Sequence, residues 1–190
     1  MPPVEDRSEV AAVILAAGLG RRFGGPKAGA RLRGRTLLGH VAALAKRAGL
    51  EPVIAVVSGT PDVPEGVIPV VNPKPERGLS SSLQLGIGAV PPGQAALVLL
   101  VDQPTLAPES IAVVLAARGT RHILAAQSGG RLAPPVLLEP EAFLVVATLA
   151  GDIGLREFFH RNPDLVHAVS VPAHAPDIDT ADDLARLEGG

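Results

Sequence analysis

The segment LAAGLGRRFGGPK, Leu15 to Lys27, follows directly on an apolar run that begins at Val10. Its glycines let the backbone bend close to a ligand and turn several amide N–H groups into one concavity, while Arg21, Arg22 and Lys27 add positive charge. That combination suits a polyphosphate. Two familiar phosphate loops do not describe it. A P-loop needs G-x-x-x-x-G-K-[ST], but Pro26 separates Gly25 from Lys27, and Ala28 stands where the metal-binding hydroxyl belongs. A dinucleotide turn needs G-x-G-x-x-G, whereas Gly18, Gly20 and Gly24 are spaced G-x-G-x-x-x-G. Taken alone, the loop also reads as a glycine-rich surface turn with solvated arginines.

Acidic residues supply a second kind of chemistry. Asp102 comes directly after the apolar run AALVLLV, where a strand should leave the core. A carboxylate there can hold Mg²⁺ against nucleotide phosphates, because Mg²⁺ favours hard oxygen ligands and takes only one or two from a protein. The same aspartate, two residues before Pro104, also reads as an ordinary turn initiator. Near the C-terminus stands Asp177-Ile178-Asp179-Thr180. If extended, it puts both carboxylates on one face and Ile178 toward the core. Thr180 and Asp183 form a capping-box-like pattern and Asp182 suits the positive end of a helix, which leaves Asp177 and Asp179 as the functional candidates. Gly78-Leu79-Ser80-Ser81-Ser82 is either a flexible turn with a serine cap or a set of groups offered to a nucleobase or ribose.

These residues need a scaffold, and the apolar patterning specifies one. Val/Ile-rich runs alternate with helical patterns, which predicts a single Rossmann-like α/β/α domain with a mainly parallel sheet. Strands are expected at Val10 to Leu15, Val53 to Val57, Ile68 to Val71, Ala96 to Val101, Ile123 to Gln127 and Val166 to Val171. Helices are expected at Leu37 to Ala48 behind Thr36, Ser81 to Gly88 behind a Ser80 cap, Glu109 to Ala117 behind Pro108, Ile153 to Arg161, and Ala181 to Leu187. Ligands of open α/β sheets sit outside the carboxyl ends of the strands, so the loops after Leu15, Val71 and Val101 should converge on one site.

Composition narrows the partners. A chain of 190 residues suits one domain, placed at 9–190 behind a flexible tail at 1–8. The net charge of −2 gives no general pull toward nucleic acid or anionic membrane. The absence of cysteine excludes disulfides, thiolate zinc sites and cysteine nucleophiles, and the five histidines lack metal-ligand spacing. With no Trp or Tyr and four Phe, no stacking platform for single-stranded nucleic acid is available. No signal-like or membrane-length apolar run occurs, so a cytoplasmic protein is expected.

Taken in order, these segments resemble the MobA-like nucleotidyltransferases, the molybdenum cofactor cytidylyltransferases in particular. The family's LAAGxSxRMGxxK signature is met at Leu15, Ala16, Ala17, Gly18, Arg22, Gly24 and Lys27, with Gly20 in place of the usual serine and Phe23 in place of methionine. Asn72-Pro73, Gly78 to Leu83, Asp102-Gln103-Pro104, Pro135-Val136-Leu137, Gly151 to Arg156 and Asp177 to Thr180 continue the likeness. Pro134 stands where a G-H-P-V element would carry histidine.

The resemblance implies transfer of a nucleotidyl group with release of pyrophosphate. LAAG and DQP look like the CTP-using branch, with a molybdopterin-type acceptor and a molybdoenzyme or its chaperone as recipient. Arg22, Lys27 and Asp102 are then the catalytic residues. Leu15, Ala16, Ala17, Gly18, Gly20, Asn72, Gly78, Ser80 and Ser82 join them around the nucleotide. Gln103, Pro104 and Asp179 face the acceptor, and Asp102 with Asp177 holds Mg²⁺. A guanylyltransferase, a cytidylyltransferase of sugar or polyol phosphates, and a non-catalytic cofactor carrier are the rivals. A Rossmann dehydrogenase lacks the glycine spacing and the acidic ribose partner, since Ser58-Gly59-Thr60 follows the second strand.

Overall fold

The computed structural model describes residues 10–149, 155–172 and 175–189; the expected tail at 1–8 and the segment Gly151 to Gly154 lie outside them. In chain order the elements begin with β1 (Val10–Ala16), β2 (Arg31–Leu32), β3 (Arg35–Thr36), α1 (Leu37–Arg47), β4 (Val53–Val57) and β5 (Ile68–Val71). There follow α2 (Leu79–Gly88), β6 (Ala95–Leu100), α3 (Pro108–Ala116), β7 (Ile123–Ser128) and β8 (Arg131–Leu138). The last are α4 (Phe143–Ala147), α5 (Leu155–Arg161), β9 (His167–Ser170) and α6 (Ala181–Glu188).

All seven residues of β1 are buried, as a strand covered on both faces must be. Alternation divides them. Val10, Ala12, Ile14 and Ala16 join one apolar layer, and Val13 and Leu15 join the other. The first layer receives α1, whose buried Leu37, Leu38, Val41, Ala42, Leu44 and Ala45 recur at helical spacing behind the Thr36 cap. The second receives α2, which lies so close that a Cβ on Gly86 would come 2.4 Å from Val13 Cγ1. Glycine at this point lets helix and sheet touch.

The sheet runs β5-β4-β1-β6-β8-β7-β9. Among the described residues of this sheet only β8 is antiparallel to its neighbours. The chain builds outward from β1 through β4 to β5, then returns to the opposite side of β1 as β6, so the strand order reverses between β1 and β6. Their parallel register, Val10↔Ala95 to Leu15↔Leu100, brings the loops after both strands side by side at this switch point.

Three differences from the sequence reading have local causes. β8 was not expected, because Pro134 and Pro135 interrupt its apolar run and proline cannot donate to a ladder. The sheet absorbs them at a register shift between Ala125 and Ala126 of β7, which pair with Val136 and Ala133. Helix α2 begins at Leu79, so Ser80 is a buried residue of the first turn and not the cap. Gly78 takes the capping position without a side chain, and Ser81 Oγ donates to the Gly78 carbonyl at 2.8 Å. The short α4 had no sequence signal. Among the described residues no helix is long and apolar enough to cross a membrane.

Candidate active site

Outside the carboxyl ends of β1 and β6 lies a cavity of about 520 Å³, within the range of small-molecule sites. Ala17 to Arg22 and Lys27 form one wall, Pro75, Glu76, Gly78, Leu79 and Ser82 another, and Leu15, Leu100, Val101, Asp102 and Asp179 complete it. The three loops selected from the sequence do converge here, joined by the segment before α6.

The glycine-rich loop is organised around one carbonyl. Gly20 O accepts the amides of Phe23, Gly24 and Gly25 at 2.9, 2.9 and 3.1 Å. Those three N–H groups therefore close the turn and do not face a ligand, which confines the cradle to Ala17 through Arg22. Gly20 has φ 57°, and a Cβ there would stand 1.8 Å from Gly25 O. The turn requires glycine.

Lys27 is the centre of the charged network. Its side chain is 13% exposed, and Nζ lies 3.2 Å from Asp102 Oδ2 and 2.9 Å from Asp179 Oδ1. The largely exposed Arg22 reaches the other oxygen of Asp179 at 3.2 Å. Burial pushes the Asp102 carboxyl above its ordinary range; Lys27 opposes the shift and the nearby Asp177 charge adds to it. Asp102 Oδ1 is buried without a hydrogen-bond partner.

The Asp177 to Thr180 segment reaches this network without forming a strand. Fully buried Ile178 anchors it, its N–H donating to the Asp102 carbonyl at 2.9 Å. Asp177 Oδ1 accepts from Gln103 Nε2 at 2.9 Å. Immediately afterward the expected capping box forms: Asp183 N–H donates to Thr180 Oγ1, and Asp183 Oδ2 accepts the Thr180 amide at 2.8 Å. Asp183 is thus structural, and Asp182 lies in the same first turn.

The donor set fits a hard divalent cation. An unpartnered carboxylate oxygen on Asp102 and a second carboxylate on Asp177 match the one or two protein ligands that Mg²⁺ ordinarily takes. Among the described residues no cluster of three His, Asp or Glu offers a fuller metal cage.

Several sequence candidates do not line the cavity. Ala16 packs in the α1 layer. Asn72 is 2% exposed, and its Nδ2 donates to Ser81 and Ser82 hydroxyls at 3.0 Å each, so it fixes the start of α2. Ser80 is buried, and neither Gln103, Pro104 nor Asp177 lines the cavity. Conversely, Leu19 and Leu79 line it while remaining 38% and 40% exposed. The available signal for them was their place in the chain, Leu19 between Gly18 and Gly20 and Leu79 directly after Gly78.

Comparison with known proteins adds an independent line. No curated protein matches the chain. The crystal structure of Rv0371c from Mycobacterium tuberculosis H37Rv aligns over 96% of this chain and 98% of that one, at 27% identity and a TM-score of 0.85. Rv0371c in complex with manganese aligns over 95% and 98%, at 26% identity and a TM-score of 0.80. The inositol-1-phosphate CTP transferase of T. maritima, at 18% identity, shares the fold over 97% and 98% with a TM-score of 0.73. With the switch-point cavity already placed by the structure, the sequence itself supplies the assignment: residues 12–166 match the model of the MobA-like NTP transferase domain, and the chain belongs to that family of nucleotidyltransferases.

Proposed function

We propose that this protein transfers a cytidylyl group from CTP to a phosphate-bearing acceptor, molybdopterin or its molybdenum-bound form, and releases pyrophosphate. The observation that carries this reading is the meeting of Lys27 with Asp102 and Asp179 in one cavity, from three segments far apart in the chain. An oxygen of the acceptor phosphate attacks the α-phosphorus of CTP. A new phosphoanhydride forms, the bond to the bridging β-oxygen breaks, and pyrophosphate leaves with that electron pair. Catalysis comes from alignment and from neutralising charge, with no covalent enzyme intermediate.

Arg22 steadies the β- and γ-phosphates, and Lys27 meets the α-phosphate as a point charge. Gly18, Gly20 and the neighbouring backbone cradle the triphosphate, while Gly78 and Ser82 face the base and ribose. Asp179, which lines the cavity, stands toward the acceptor. Asp102 and Asp177 would hold Mg²⁺, which when bound neutralises part of the triphosphate charge. Two things support cytosine: the LAAG and DQP segments, and the buried Ala17, which packs in the α2 layer and puts its methyl group in the cavity lining at the loop.

Pyrophosphate release measured with each NTP, with and without molybdopterin, tests the reading. CTP should give at least ~10-fold higher kcat/KM than GTP, since a hydrogen-bonding site rejects a base that leaves its polar groups unpaired. Equal or better use of GTP assigns the guanylyl reaction instead. Turnover only with a sugar or polyol phosphate reassigns the acceptor, and release with no NTP leaves a cofactor carrier for a molybdoenzyme.

A further inference from the structure

We infer that Gln103 is a positioning residue that aims Asp177 at a divalent cation beside Asp102, an inference that rests on the metal assignment above. The family resemblance implied that Gln103 faces the acceptor, but its side chain is 4% exposed and does not line the cavity. Its backbone is held on both sides: its N–H donates to the Leu100 carbonyl, and its carbonyl accepts from Leu106 at 3.2 Å. The amide is therefore a fixed fixture of the turn that carries Asp102. From there Nε2 donates to Asp177 Oδ1 at 2.9 Å.

Asp177 needs such a fixture. It is an exposed residue on an irregular segment, docked by the Ile178 amide on the Asp102 carbonyl and by the buried Ile178 side chain. Those two contacts fix the backbone and leave the Asp177 carboxylate free to turn into water. The Gln103 amide holds one oxygen and leaves the other able to bind. Groups that orient metal ligands in this way commonly change metal affinity by about 10- to 100-fold.

Folding alone does not account for the glutamine. Its Oε1 is buried without a partner, while the single bond from Nε2 goes to an exposed carboxylate. An apolar side chain of the same length would avoid burying an unsatisfied acceptor. A residue kept only for stability would be apolar here.

Mn²⁺ binding to the nucleotide-free protein tests the inference, using Gln103→Met, Gln103→Asn and Asp177→Asn beside the native chain. Met keeps the length without the donor, and Asn keeps the amide but falls one methylene short, so one variant serves if the other fails to fold. Both Gln103 variants should weaken Mn²⁺ by about tenfold or more. Gln103→Met should retain the native Tm or exceed it, and its turnover should recover at high metal concentration with little change in limiting kcat. Native Mn²⁺ affinity in the Gln103 variants, with affinity lost in Asp177→Asn, overturns the positioning role and leaves the metal assignment intact. Native affinity in Asp177→Asn as well removes the metal ligand, and the inference falls with it.

Discussion

At the scale of single residues, the site sets function against stability. Asp102 titrates higher in the folded protein than its ordinary 3.8, chiefly because it is buried. Its ionised form therefore costs stability: the cost is full above the folded pKa and fades as pH falls through that value toward 3.8. Asp102→Asn should raise Tm at pH 7, and the gap should close on acidification. The same variant should lose roughly 10²-fold in turnover through loss of charge positioning. Thermal melts across pH and initial rates at saturating metal check both halves; native turnover would sink the assignment. Gly20 makes a different point. Gly20→Ser brings back the residue usual in the family signature, yet its Cβ would meet Gly25 O at 1.8 Å in a left-handed turn. Strain of about 1–3 kcal/mol should raise the Kd for CTP by about 5- to 150-fold. Tighter CTP binding by this variant, measured by calorimetry, would contradict the turn described for the loop.

At the scale of elements, α6 governs how the Asp177 to Asp179 segment is held. The helix buries no side chain completely, so its ends matter more than its face. Its N-terminus is closed by the Thr180–Asp183 box, and its C-terminus is gripped by Arg33 of the β2–β3 hairpin, which donates to Glu188 and to the Leu187 carbonyl. Thr180→Ala should cost about 1 kcal/mol, or roughly 2–4 °C in Tm for a domain of this size. Hydrogen bonds from Thr180 hold the Asp183 carboxyl below its ordinary 3.8. An acid depressed in this way stabilises the fold above its unfolded pKa, and the benefit is lost as pH falls through the folded value. The Tm difference between native and Asp183→Asn should accordingly be full near neutrality and be lost as pH falls through the folded pKa, which lies below 3.8. A difference that persists unchanged into strong acid would show that the box contributes through packing alone.

At the scale of the molecule, cations and carboxylates from distant segments pair across the crevice. Lys27 sits on Asp102 Oδ2 and Asp179 Oδ1, and Arg22 sits on Asp179. A triphosphate competes for both cations and so releases carboxylate oxygen for a metal. Metal and nucleotide should therefore bind with positive coupling, about 5- to 150-fold, and the factor must be the same whichever is added first. Calorimetric titration of Mn²⁺ with and without a non-hydrolysable CTP analogue measures it. In Lys27→Ala the metal alone should bind more tightly and the coupling should shrink. Equal Mn²⁺ affinity with and without the analogue in the native protein would exclude this exchange.

What the sequence determined by itself is what short-range physics controls. The apolar run into a glycine-rich loop, Asp102 at the end of its strand, and the Thr180–Asp183 box all appear in the structure where periodicity and capping rules put them. Where a local rule was broken and repaired from elsewhere, the reading failed. The prolines of β8 are tolerated because strands on both sides supply the pairing, and Ser80 is not a cap because Asn72 and Gly78 organise that turn. The partners inside the site were beyond local rules altogether. Lys27 meets Asp179 from 152 positions away, and Gln103 meets Asp177 from 74. Periodicity decides which face of a strand a residue occupies, but strand order and register decide which distant loops share a crevice, and only the packed sheet sets those.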